Sequence, residues 1–232
     1  MRHLAKAPLE LALAQVRFAP IFAIKEPARM AEFQSRLGRR YLLQSPVGDP
    51  EAASAADAPI HLFRDQDRAW TVSLSSDSLG LEAKTYHDFD DFAAELARIL
   101  DDAAEIFEPQ TEVRLGVRYV NRIEDERLRK RGIQFFVRPE LASPVGSELG
   151  SELAHSLCQL RFRERGTWLA IRHGLIEPSV YLLDFDNFVE GERDFEPAQI
   201  VKRVNEYHGL IERLFVWSLS DRYRSELEGE AG

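Results

Sequence analysis

The segment from Phe89 to Ile106 constrains the fold most. Its apolar residues Phe89, Phe92, Leu96, Ile99, Ala103 and Ile106 recur at alternating spacings of three and four. That spacing places them on one face of a helix over Asp88 to Phe107. A helix with one apolar face must lie on a sheet or on another helix. A second seam, Ile200, Val204, Tyr207, Ile211 and Leu214, continued by Phe215 or Trp217, predicts another long helix from Pro197 to about Tyr223.

Three short strand candidates precede each seam. They are Ile60–Arg64, Ala69–Ser75 and Gly80–Tyr86 before the first, and Leu157–Arg163, Thr167–His173 and Val180–Phe185 before the second. A longer extended segment precedes each set: Pro8–Phe18 and Glu112–Ile123. After the first of these, Pro27 suits the opening turn of a helix to about Arg39, with Met30, Phe33 and Leu37 on one stripe. Ser45 to Pro59 is rich in small residues and proline and reads as a mobile loop. The corresponding connection in the second half holds Pro139, Pro144 and three glycines, with a short helix predicted at Ser147–Ala154.

Both halves therefore read strand, connection, three strands, long helix. This is a duplication of pattern rather than of identity. The expected fold is α+β: an antiparallel sheet of two pseudo-repeated halves, residues 1–109 and 110–232, in one compact unit. The long amphipathic helices are expected on one face.

Composition supports a self-sufficient core. A chain of 232 residues with 44% hydrophobic content buries roughly 70–75% of its unfolded surface on folding. No metal, disulfide or other cofactor is expected. The single cysteine, Cys158, excludes a disulfide framework and a multi-thiolate metal site. No run approaches the roughly 18 apolar residues of a membrane helix. Met1–Pro8 lacks an apolar leader, which predicts a cytoplasmic protein.

The net charge of −9 is unevenly spread. From Asp88 to Glu108, eight acids face one base, Arg98, so this segment alone carries −7. Nucleic-acid affinity rests on neutralising phosphates. The overall balance therefore disfavours a general nucleic-acid binder, while a local arginine surface remains able to take an anion.

Such a surface is suggested by the strands. In Glu112–Ile123 a period of two puts Val113, Leu115, Val117, Tyr119 and Ile123 on one face and Arg114, Gly116, Arg118 and Arg122 on the other. In Leu157–Arg163 it puts Cys158, Leu160 and Phe162 toward the core, opposite Gln159, Arg161 and Arg163. Arg17 and Arg172 occupy similar positions. Guanidinium is a fixed fork of donors matched to carboxylate and phosphate. Gly116, between two arginines, leaves room for something to approach the backbone. The plainer reading is a solvated face of cross-strand Arg–Glu pairs, with the acidic helix as a further counterpart.

Other constellations are weaker. Asp184 and Asp186 share a strand face and, with Asn187, Glu190 or Glu192, would suit Mg²⁺. Strand ends commonly carry acids for no catalytic reason. The six histidines have no paired ligand spacing, and His208 reads as edging the core seam. Cys158 reads as a small core residue. The run Arg127-Leu128-Arg129-Lys130-Arg131 reads as an exposed loop, and Trp217 and Tyr223 as core anchors. No nucleophile elbow, P-loop or dinucleotide fingerprint occurs.

Four segments, Ala7–Pro20, Arg114–Glu124, Leu182–Phe188 and His208–Leu227, resemble a sporadically distributed family of bacterial proteins of about this length, whose members are mostly uncharacterised. The R-x-G-x-R-Y-x-N-R-I block at Arg114–Ile123 is the most specific part. The resemblance implies a bacterial cytosolic protein. Patchy distribution implies accessory cargo of the kind found in defence or toxin–antitoxin loci. It brings no catalytic residues. If its central block is a site, Arg118, Tyr119, Asn121 and Arg122 carry it.

The leading expectation is a non-catalytic module. Arg114, Arg118, Asn121, Arg122, Arg161 and Arg163 would engage an acidic protein partner or an anionic ligand. The alternative is a metal-dependent phosphoesterase or nuclease using Asp184 and Asp186. A third reading is a structural subunit, a homodimer joined through the helical seams. No membrane partner is expected.

Overall fold

The computed structural model describes residues 7–47, 60–84, 88–142 and 155–229. It is α+β, with an antiparallel sheet of nine strands in the order β2-β3-β4-β5-β1-β6-β9-β8-β7. The strands are β1 (Leu9–Phe18), β2 (Leu43–Val47), β3 (Ile60–Arg64), β4 (Trp70–Ser75), β5 (Ser78–Ala83), β6 (Thr111–Glu124), β7 (Cys158–Glu164), β8 (Thr167–Glu177) and β9 (Val180–Asp194). The helices are α1 (Pro27–Leu37), α2 (Phe89–Phe107), α3 (Arg127–Arg131), α4 (Pro139–Ala142), α5 (Pro197–Ser218) and α6 (Asp221–Glu228).

The chain divides into two compact units. The first comprises Leu11–Arg118 and Phe188–Tyr207; the second comprises Met1–Glu10, Tyr119–Asn187 and His208–Gly232.

In the first unit, antiparallel registers align Ala12, Ala14 and Val16 with Ala83, Leu81 and Leu79, and these with Trp70, Val72 and Leu74. All are buried. The amphipathic α1 and α2 cover them. Phe33 meets Phe63 at 5.9 Å and Phe107 at 5.5 Å, and Trp70 meets Phe92 at 5.9 Å. Each such side chain, fully buried, contributes about 1.5–3 kcal/mol. Asp88 opens α2, its carboxylate accepting from Asp91 N at 2.9 Å. Three acids of α2 carry ion pairs: Glu95 with Arg40 and Arg98, Asp102 with Arg36 and Arg98, and Glu105 with Arg36.

Two expected elements of this unit differ. Ser45–Val47 are not loop but part of β2, where Pro46 pairs with His61; an edge strand tolerates that proline. The rest of the predicted loop lies outside the described residues. The third strand is Ser78–Ala83 rather than Gly80–Tyr86, because the β4–β5 hairpin turns on Ser76 and Asp77. Ser75 Oγ, bonded to Asp77 and Ser78 at 2.7 Å each, fixes that turn.

In the second unit the predicted last helix is two helices. α5 stops at Ser218, and Leu219 leaves to bridge Val137. Ser220 then caps α6, its hydroxyl accepting from Tyr223 N at 3.1 Å and donating to the Phe135 carbonyl. Tertiary pairing thus overrides a continuous helical pattern. Tyr223 is buried but Trp217 is 39% exposed, so Phe215 rather than Trp217 continues the seam. Arg127–Arg131 is a helix, not a loop. The Arg127 guanidinium grips both Asp125 and Glu226 at 2.7–3.1 Å. The helix predicted at Ser147–Ala154 lies outside the described residues.

Candidate arginine-lined sheet face

The geometry begins with a turn. Arg165 and Gly166 both have positive φ, 47° and 85°. Two such residues make the tight hairpin turn whose twist matches the flanking strands. They close the pair Glu164↔Thr167, and the register runs on through Arg163↔Trp168, Arg161↔Ala170 and Gln159↔Arg172. Paired residues point to the same face. Arg161, Arg163, Trp168 and Arg172 therefore share one face of the β7–β8 hairpin.

The two exposed arginines converge on the tryptophan. The guanidinium carbons of Arg161 and Arg163 lie 5.2 Å and 5.5 Å from the Trp168 ring centroid. The ring's negative face attracts a cation without using its N–H donors. Trp168 thus gathers two guanidinium groups side by side on this face. Sequence reasoning missed Trp168; Gly166 is a turn signal, but the two-residue turn that sets Trp168 opposite Arg163 is seen only in the structure.

On the same face Arg172 Nη1 donates to Asp184 Oδ2 at 3.2 Å, and Asp184 is almost wholly buried. Asp186 is half-buried. Among the described residues no group of three or more His, Cys, Asp or Glu side chains could hold a metal.

The opposite face of the hairpin carries His173, buried, with Nδ1 2.9 Å from Tyr181 Oη. Burial holds the imidazole below its ordinary value of 6.5. Burial, and then the neighbouring Cys158, pushes the Tyr181 hydroxyl up. Cys158 is a half-buried free thiol paired in register with His173. Phe162, expected in the core, is 47% exposed at the sheet edge.

The remaining expected site residues behave individually. Arg122 reaches Glu177 at 3.4 Å and Glu124 at 3.7 Å. Asn121 is buried, and its amide donates to the Leu183 carbonyl at 3.3 Å. Tyr119 Oη lies 2.8 Å from His208 Nδ1.

In the first unit, Arg118 is half-buried and Arg17 is exposed. Arg114 lies over the Phe188 ring at 4.6 Å. Gly116 makes that possible: a Cβ there would sit 2.9 Å from Arg114 Nη1. The room at Gly116 is filled by the arginine two residues earlier. Glu112, unexposed, is clamped by both Arg203 amine groups. Arg203 and His208 both belong to α5, so Glu112 and Tyr119 reach the same helix. At this end of β6 the burial departs from a strict period of two. Val113, expected in the core, is only half-buried, while Glu112 is buried and held inward by Arg203.

No family model and no curated protein matches this chain. Among solved structures it is similar to the Methanococcus jannaschii TBP, with a TM-score of 0.30 and 10% identity, covering 76% of this chain and 85% of that one. A likeness at that level bears on neither fold nor function.

Proposed function

We propose that this protein is a non-catalytic binding module that engages an acidic protein partner or an anionic ligand through arginines on its sheet. One observation carries the reading: Arg161 and Arg163 share the Trp168 ring on an exposed hairpin. A guanidinium held by a ring keeps its donor fork pre-ordered, which lowers the entropy lost on binding. Arg114 on Phe188 repeats the device in the first unit. Arg118 and Arg122 complete the set. Asn121 is left out of it, because its amide serves the core.

The same reading takes the chain as a cytoplasmic accessory protein of the sporadic bacterial family, on the strength of the Arg114–Ile123 block. It also takes the chain as a duplication, with the long helices on one face. In support, β1 neighbours β5 and β6 neighbours β9, so each half's first strand borders its last. No helix among the described residues is long and apolar enough to cross a membrane.

The hydrolytic alternative is less favoured because Arg172 engages the Asp184 carboxylate. A Mg²⁺ and Mn²⁺ titration of wild type and Asp184→Ala tests it, and hydrolysis lost in the variant would replace the binding reading. The binding reading is tested by calorimetric titration with polyglutamate and with polylysine. Saturable binding of polyglutamate alone, lost in the Arg161→Glu, Arg163→Glu variant, is the expected result. Binding unaffected by the charge reversal would overturn it.

A further inference from the structure

We infer that the open edge of β7 accepts an extended acidic segment of a partner protein as an added strand. This rests on the arginine-face reading and names how the partner binds. Among the described residues the sheet has two edges, β2 and β7. An edge strand presents unpaired backbone N–H and C=O groups, and proteins guard such rows with proline, bulges or charge. β2 contains Pro46, which removes a donor. β7 contains no proline and runs in unbroken register along β8 from Cys158↔His173 to Glu164↔Thr167, so its guard is charge, which repels a like-charged strand and admits an oppositely charged one. On its other side it has no strand neighbour among the described residues.

The side chains define the occupant. An added strand sets alternate side chains beside each of β7's two rows. One row is Arg161 and Arg163, exposed and borne by Trp168. The other is Leu160, half-buried, and Phe162, 47% exposed. The complementary segment alternates carboxylate and apolar residues. A second copy of β7 fits poorly in its longest overlaps. Centring an antiparallel pair on Arg161 or on Phe162 sets arginine directly opposite arginine, which is destabilising.

Three short peptides test this: alternating glutamate and valine, the same peptide with its central valine replaced by proline, and alternating lysine and valine. Binding is read by fluorescence anisotropy, and strand addition by hydrogen exchange of the Cys158–Glu164 amides. The glutamate–valine peptide should bind and slow exchange across β7. Proline, at unchanged charge, should weaken binding at least about tenfold. Arg161→Glu with Arg163→Glu should abolish it, and the lysine peptide should not bind. Equal binding of the two acidic peptides, lost on charge reversal, would overturn strand addition while leaving the arginine-face reading intact. Failure of both acidic peptides, or equal binding of the lysine peptide, would overturn both.

Discussion

Arg172 holds Asp184: their side chains meet at 3.2 Å, with the carboxylate 2% exposed and the guanidinium 36% exposed. A buried carboxylate is costly without a partner, and a partner left behind by mutation is costly too. Asp184→Ala should therefore lower stability by about 2 kcal/mol, and Asp184→Asn by about half as much. Urea unfolding at neutral pH checks both. Equal midpoints for wild type and Asp184→Ala would remove the ion pair from the account.

Two glycines predict opposite outcomes for the same substitution. At Gly116 a new Cβ meets the far end of the flexible Arg114 side chain. Gly116→Ala should cost less than about 1 kcal/mol, the worth of displacing Arg114 from Phe188. At Gly174 the Cβ would lie 2.0 Å from the Ser156 carbonyl oxygen, which is backbone. Gly174→Ala should cost more than about 3 kcal/mol, because β8 and the Ser156 segment must separate. Thermal melts of the two variants, ranked the other way, would contradict these placements.

The break after α5 depends on Ser220. Ser220→Ala removes the cap of α6 and the donor to Phe135, and should cost about 1 kcal/mol. Ser220→Asp restores the acceptor alone and should recover part of that loss. A variant as stable as wild type would mean that the helix break is held by the Leu219–Val137 bridge without the cap.

His173 predicts a pH dependence. Its folded-state pKa lies below the ordinary 6.5 because burial disfavours the cation. Above about pH 6.5 the ring is neutral folded or unfolded, and its contribution is fully present. As pH falls from there through the lower folded value, the unfolded chain takes up the proton first, and stability is lost. His61 shifts the same way by burial, so the comparison must be with a His173 variant. The urea midpoint of wild type should fall more than that of His173→Gln between about pH 7.5 and about pH 5.5. Parallel falls would contradict the assignment.

Much of this architecture was legible in the sequence. The seams of α1 and α2 follow from periodicity, because a helix face is a local pattern. The faces of β6 and β7 follow from alternation over most of their length. What was not legible depends on distant partners. Glu112 is held inward by Arg203 where a strict alternation placed Val113. Leu219 leaves the helix for Val137, which no local signal at Leu219 announces. Trp168 is a different case. Its place opposite Arg163 follows from the two-residue turn at Arg165-Gly166, and the positive φ of Arg165 is visible only in the structure. Asn121, among apolar neighbours, needed a partner for its amide, and finds it in the Leu183 carbonyl of a distant strand.

Trp168 also supplies the most direct test, since it lies beneath both guanidinium groups. The chain has three tryptophans, so Trp70→Phe with Trp217→Phe leaves Trp168 as the sole reporter. Titrating that protein with polyglutamate should change its emission saturably, with the change suppressed by salt and absent when Arg161→Glu and Arg163→Glu are added. Emission that does not respond to the polyanion, or responds equally after charge reversal, would contradict the claim that these two arginines form the binding surface.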